Sequence, residues 1–233
     1  VETFLTEREV LLCWKRMVAN THDVDIILGW NIYKFDFEFM VKRAERFGIL
    51  KDFGLVGRMR HEPCSIRKKQ LSSAQYGHNE FQFMEVVGRV QVDLLPVIQR
   101  EKKLASYKLE AVASKFLGEH KLDLPPKEIF DKYENGGDAG RAEIGAYCVQ
   151  DTWLPLGIMD KLCILPNLVE MSRVTGVWIE DLILRGQQIK VFSQLIRFCE
   201  PQLVVIPPSP ARDAAAAAGG GDKYEGATVL QPV

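Results

Sequence analysis

Two short stretches of this sequence hold side chains that could do chemistry together. The first is NIYKFD, Asn31 to Asp36, and the second is YCVQD, in which Tyr147 and Asp151 stand four apart. The two aspartates are separated by 115 positions. A carboxylate at a strand-to-helix junction, flanked by an amide and an aromatic ring, is a hard oxygen donor that can hold a divalent cation at a sheet edge. Spacing of four on a helix puts a phenol and a carboxylate on one face, one turn apart. Each stretch also has a plainer reading. Aspartate at a helix start is a common N-cap, and a Tyr/Asp pair at this spacing suits a packed ring beside a solvated acid.

The elements that must position these groups follow from periodicity. Val24 to Leu28 is an apolar run with one acid inside it, which reads as a buried strand ended by Gly29. Phe37, Met40, Val41, Ala44 and Phe47 then repeat at helical spacing, predicting a helix over 37–47 closed by Gly48. Upstream, Thr6-Glu-Arg-Glu9 is a capping box for a helix from about Glu7 to Asn20. Helix, strand, helix is the rhythm of an α/β domain. Residues 49–80 have no clean period and carry the basic cluster Arg67, Lys68 and Lys69; a surface hairpin fits, with the cluster either solvated or set against DNA.

Phe81 to Asp93 alternates, with Gly88 as a break. Val90, Val92 and Leu94 face one way and Arg89, Gln91 and Asp93 the other. Asp93 is a third candidate carboxylate, but its place before an apolar helical run (Leu94 to about Leu104) favours a cap, and it is set aside. Ser106 is expected to cap a helix that stops at Gly118, and a short helical turn lies between Pro125-Pro126 and Asn135-Gly136-Gly137. Arg141 to Leu162 is the helix bearing YCVQD. Pro155 lies four residues after Asp151 and should bend or loosen it there. Leu165 to Phe198 is helical, broken near Thr175-Gly176 and Arg185-Gly186. Residues 207–223, with their prolines and an Ala/Gly run, read as a flexible linker, and Tyr224 to Leu230 as the start of a further strand.

Composition bounds the function. In 233 residues, 47% hydrophobic, there is enough apolar surface for a sizeable core. Thirty basic residues against thirty-one acidic ones give a net charge of −1, so global charge points to no nucleic-acid partner. Five scattered cysteines without a CxxC pair argue for reduced core thiols in an intracellular protein. The four histidines lack metal-ligand spacing. No apolar run reaches membrane-spanning length and no signal peptide is visible. Beginning on Val1 and ending on TVLQPV, the chain is expected to be part of something longer.

Taken in order, Asn31, Phe35 and Asp36 followed by Tyr147 and Asp151 resemble the second and third exonuclease motifs of family B DNA polymerases, Asn-x-x-x-Phe-Asp and Tyr-x-x-x-Asp. The surrounding text (GRVQVDLL, REKKLASYKLEAV, VEMSRVTGV, RGQQIKVFSQLIR, EGATVL) is similar to the delta-type branch of that family, cellular or from large algal DNA viruses. The resemblance implies a ribonuclease H-like 3′→5′ exonuclease fold, an α/β domain with a mixed sheet flanked by helices, over 1–165. A helical connection toward the polymerase palm over 166–206, the linker, and the start of the polymerase domain at 224–233 would follow.

The same resemblance implies two-metal phosphodiester hydrolysis with Mg²⁺ or Mn²⁺. Asp36, partly through a bound water, and Asp151 would be metal ligands, Tyr147 would orient the attacking water, and Asn31 and Phe35 would hold the unpaired primer end. Implied partners are DNA primer-template and a single-stranded 3′ end, deoxynucleotides, accessory subunits and a sliding clamp, with no membrane. The implied location is the nucleus, or the host nucleus or cytoplasm for a viral protein. The family's first motif, Asp-x-Glu on a strand, is expected upstream of Val1. Asp36-Phe37-Glu38 has that spelling but sits at a helix start, where the two acids point apart; Glu38 is expected to pair with Lys42. The chain would then carry half of the proofreading carboxylates and be inactive alone. Alternatives are a stand-alone ribonuclease H-like nuclease and a non-catalytic nucleic-acid-binding domain.

Overall fold

The protein is described from a computed structural model covering residues 3–59, 61–73, 77–118 and 124–206. Thr6 and Glu9 form the expected capping box, Glu9 N donating to Thr6 Oγ1 at 3.3 Å and Thr6 N to Glu9 Oε2 at 3.1 Å. It starts α1 (Glu7–Arg16), which passes into a π-helical turn over Met17–Thr21 instead of continuing as α-helix. Next come β1 (Ile26–Gly29), α2 (Asp36–Arg46) and the single turn α3 (Leu50–Phe53). Gly48, at φ +66°, closes α2 in the left-handed conformation that glycine adopts without a Cβ penalty. The excursion after α3 is a hairpin of β2 (Ser65–Ser73) and β3 (Gly77–Glu85), longer than expected because its second strand absorbs the first part of the 81–93 alternation. Gly88, at φ +84°, then separates it from β4 (Val90–Asp93).

β1 and β4 pair in parallel, Ile26 opposite Val90 and Gly29 opposite Asp93. Parallel pairing requires the long crossover that α2, α3 and the hairpin supply. β4 is covered on both faces: Val92 is buried on one side, and Arg89, Gln91 and Asp93 on the other. Alternation therefore marks a strand whose polar face is also interior, where polar groups need partners within the protein. Arg89 donates from Nε to Val56 O at 2.8 Å, from Nη1 to Val24 O at 2.5 Å and from Nη2 to Ala19 O at 3.3 Å, and it meets Asp23 Oδ1 at 2.9 Å. One guanidinium thus ties β4 to the end of the first helix and the approach to β1. The same core takes Phe37, Val41 and Ala44 from α2 and Phe53 from α3, with the Trp14 ring 5.7 Å from that of Phe53.

After β4 come α4 (Leu94–Glu101) and α5 (Leu109–Leu117). α4 ends three residues earlier than expected, where Lys102 turns extended. Lys108, not Ser106, is the N-cap residue of α5; Ser106 Oγ accepts Lys108 N at 3.4 Å from further out. α6 (Pro126–Asn135) is a full helix where a short turn was expected, and α7 (Gly137–Lys161) is the predicted YCVQD helix. α7 stays α-helical across Pro155, which is buried. α8 (Ile164–Thr175), α9 (Ile179–Leu184) and α10 (Gln188–Cys199) break at the two predicted positions.

The chain divides into two compact units, Val1–Ser193 and Gln194–Val233. The first contains the core and the site residues. In the second, the described residues complete α10, turn through a 3₁₀ segment at Glu200–Gln202, and include none that is buried. The expected linker and final strand lie outside the described residues. None of the five cysteines is in a disulfide, but only Cys13 is a core thiol, while Cys148 and Cys163 are exposed. Among the described residues, no helix is long and apolar enough to cross a membrane.

Candidate active site

The loop from Trp30 to Phe35 carries the first motif, and Asp93 shapes it. Oδ1 of Asp93 accepts the backbone N–H of Asn31 at 2.8 Å and of Leu95 at 3.1 Å, and Oδ2 accepts that of Tyr33 at 3.1 Å. One carboxylate therefore caps α4, as expected, and also clamps the loop leading to Asp36. Because Gly29 and Asp93 are register partners, the loop leaves β1 directly beside this carboxylate. Tyr33 is fully buried under the loop and donates its hydroxyl to Gln91 O at 2.9 Å. Burial pushes that hydroxyl's pKa upward, so it remains a donor. Burial also pushes the Asp93 carboxyl up, to about 6, against the lowering effect of its three backbone donors, and the charge of Asp36 adds to the rise.

Asn31 sits at φ +64°, a conformation asparagine tolerates better than most residues. Its carbonyl accepts the N–H groups of Lys34 and Phe35, both at 3.2 Å, so the turn closes on itself. Gly29 makes room for it: a Cβ there would stand 2.3 Å from Ile32 Cγ2. The N-cap of α2 is Phe35, without a side-chain hydrogen bond. Asp36 is consequently the first residue inside the helix and is not the cap, the role that local sequence offered it. Glu38, on a different face of the same first turn, pairs with Lys42 as expected.

Phe35, Asp36 and Asp151 line one cleft of about 560 Å³. Its other walls are apolar or neutral, among them Trp14, Ile27, Trp30, Ile32 and Pro155. Among the described residues, Asp36 and Asp151 are the only charged side chains in that lining. Asp36 is exposed at the cleft, yet the apolar surroundings push its carboxyl above the ordinary aspartate value. Tyr147 lies one turn before Asp151 on α7 and is half-buried. Neither Tyr147 nor the side chain of Asn31 belongs to the cleft lining. The basic cluster on the hairpin is partly neutralised, Arg67 Nε meeting Glu85 Oε2 at 2.8 Å.

Two carboxylates in an open cleft with no lining cation among the described residues suit a hard divalent ion in kind. In number they fall short: among the described residues no group of three or more His, Cys, Asp or Glu side chains could hold a metal. The chain's own donors thus fit part of a metal site. Sequence reasoning did not find the loop clamp of Asp93, because parallel register, which brings it opposite Gly29, leaves no mark in local periodicity. It also passed over Phe39, an exposed ring on the same cleft.

Comparison with known proteins finds relatives of this sequence. Residues 1–112 match the model "DNA polymerase family B, exonuclease domain". Similar proteins include the DNA polymerase delta catalytic subunits of Oryza sativa subsp. japonica, 44% identical over 99% of this chain, of Candida albicans, 42% over 97%, and of Bos taurus, 38% over 100%. The chain spans 20–21% of the length of these relatives. Its counterpart in those delta catalytic subunits is a segment, and over residues 1–112 it is similar to the exonuclease domain of family B DNA polymerases.

Proposed function

We propose that this chain forms most of the 3′→5′ proofreading domain of a replicative, delta-type DNA polymerase. The observation that carries the proposal is that Asp36 and Asp151, from motifs 115 positions apart, line one cleft and are the sole charges of that lining among the described residues. Asp36 and Asp151 would hold Mg²⁺ or Mn²⁺. Divalent ions bound there supply activation of water and stabilisation of the departing 3′ oxygen in phosphodiester hydrolysis. Tyr147, one turn from Asp151, orients the attacking water. Phe35 offers its exposed ring to the unpaired primer end, and Asn31 shapes the loop that presents it.

The remaining carboxylates come from outside these residues. Supporting this, β1 pairs with β4 alone among the described residues. Its residues Ile27 and Leu28 line the cleft, so a further strand bearing an Asp-x-Glu pair has an edge to join. The result would be the mixed sheet of a ribonuclease H-like fold. α8 to α10 would lead toward a palm that extends DNA from deoxynucleotides. The assembled enzyme would act on primer-template DNA in the nucleus with accessory subunits and a sliding clamp.

The test compares the full-length protein with residues 1–233 on a labelled primer carrying a mispaired 3′ end. The full-length protein should remove the mispaired nucleotide in Mg²⁺ and extend the corrected primer, and the 233-residue chain should do neither. Mg²⁺-dependent hydrolysis by the isolated chain, lost on Asp151→Ala, would overturn the division of the site.

A further inference from the structure

We infer that Phe39, outside both motifs, is the second ring of a base-stacking platform that seats the last bases of a single-stranded 3′ end beside Asp36. The inference rests on the exonuclease reading above and adds a residue that sets its preference for unpaired ends. α2 turns Phe37, Val41 and Ala44 into the core, where each is at most 3% exposed. Its inner face is therefore satisfied, and folding gives no reason for large apolar side chains on the outer one. Yet Phe35 is 64% and Phe39 53% exposed. Their rings are nearly parallel, 10° apart, with centroids 6.3 Å from each other. Both line the cleft that holds Asp36 and Asp151.

The lining chemistry says what such a pair would bind. Among the described residues no lysine or arginine lines the cleft, so attraction of phosphates to cations of those residues does not dominate there. Flat apolar rings offer stacking instead, which every nucleobase can accept on its π-face regardless of sequence. Bases within a duplex already have both faces covered. Only a frayed end can present the faces of its last bases to two successive rings. The platform therefore discriminates by base unstacking, next to the carboxylates that act on the adjoining phosphodiester.

The experiment uses the full-length protein. Binding of a fluorescent single strand is measured in an Asp151→Ala background, and hydrolysis in the otherwise wild-type protein. Each is run with an ordinary 3′ end and with one whose last two nucleotides are abasic. Phe39→Ala should weaken binding and raise KM for the ordinary end by about 5- to 150-fold, and leave the abasic end unchanged. Phe39→Trp should restore the ordinary value. An equal loss on both ends would mean that Phe39 acts only by packing, and no loss on either would mean that it touches no base; both overturn the inference. Failure of the active-site reading is separate, since it shows as hydrolysis that survives Asp151→Ala, whatever Phe39 does.

Discussion

Replacing Asp93 by asparagine isolates the clamp that shapes the NIYKFD loop. In the folded protein Asp93 is 1% exposed and its carboxyl titrates at about 6, against an ordinary aspartate value of 3.8. Burial is the largest cause, outweighing three backbone donors. Between these values the folded state holds more of the proton than the unfolded chain, so stability must fall as pH rises. At about 1.4 kcal/mol per pH unit, the contribution is fully present below about pH 3.8 and lost by just above about pH 6, a change of about 3 kcal/mol. The amide of the Asp93→Asn variant does not titrate. Its oxygen can still accept the N–H groups of Asn31 and Leu95, but its NH₂ faces the N–H of Tyr33, donor against donor, at a cost of about 1–3 kcal/mol. The difference between wild type and Asp93→Asn should accordingly be larger at the acid end and shrink by about 2.4 kcal/mol from about pH 4 to about pH 7. Urea denaturation of both proteins at several values from about pH 4 to about pH 7, followed by far-ultraviolet circular dichroism, measures this difference and cancels the titration of other carboxylates. A difference that is constant with pH, or that grows toward neutrality, would refute the buried, proton-holding clamp.

Three further substitutions probe how the scaffold positions the site. Arg89→Ala removes a guanidinium bonded to the carbonyls of Val56, Val24 and Ala19; at about 1.5 kcal/mol for each charge-assisted bond it should cost roughly 3–5 kcal/mol in denaturant unfolding, and a cost below about 1 kcal/mol would contradict its tying role. Gly29→Ala places a Cβ 2.3 Å from Ile32 Cγ2, so the loop must shift, at about 1–3 kcal/mol, and hydrolysis by the full-length protein should fall with it; unchanged stability and activity would show that the close approach does not hold Asp36 in place. Tyr33→Phe leaves Gln91 O without its 2.9 Å donor and should cost about 1 kcal/mol while leaving the hydrolysis rate within a few-fold, since the ring that packs under the loop is retained; an activity loss as large as that of Gly29→Ala would place the hydroxyl closer to the chemistry than the fold does.

Much of this fold was legible because local rules governed it. The capping box at Thr6, the glycine after α2 and the breaks at Gly176 and Gly186 are chemical signals confined to a few neighbours, and each element end they announced is present. What was not legible depends on partners distant in sequence. The second hairpin strand and β4 share one alternating run, and only the left-handed turn at Gly88 separates them. Asp93 was readable as a cap for Leu95, two residues on, but its bonds to Asn31 and Tyr33 cross about sixty positions. Asp36 was offered as a cap by its place at a helix start, and the backbone of Phe35 takes that position instead. For the site, motif order brought Asp36 and Asp151 together on paper, and the cleft they share is the spatial counterpart. The apolar character of its walls, which makes two carboxylates in one cleft costly without a cation, comes from side chains of several separate elements and has no sequence signature.

The proposed exonuclease role requires Asp36 and Asp151 to act as one pair on DNA. It is tested most directly by the rate at which the full-length protein removes a mispaired 3′ nucleotide in Mg²⁺, with Asp36→Ala, Asp151→Ala and the double substitution compared with wild type. Each single substitution should slow removal by about 10²- to 10³-fold, and the double should be little worse than either, because residues that act as a unit are not additive. Removal at the wild-type rate in either single variant would rule out the paired role of these carboxylates.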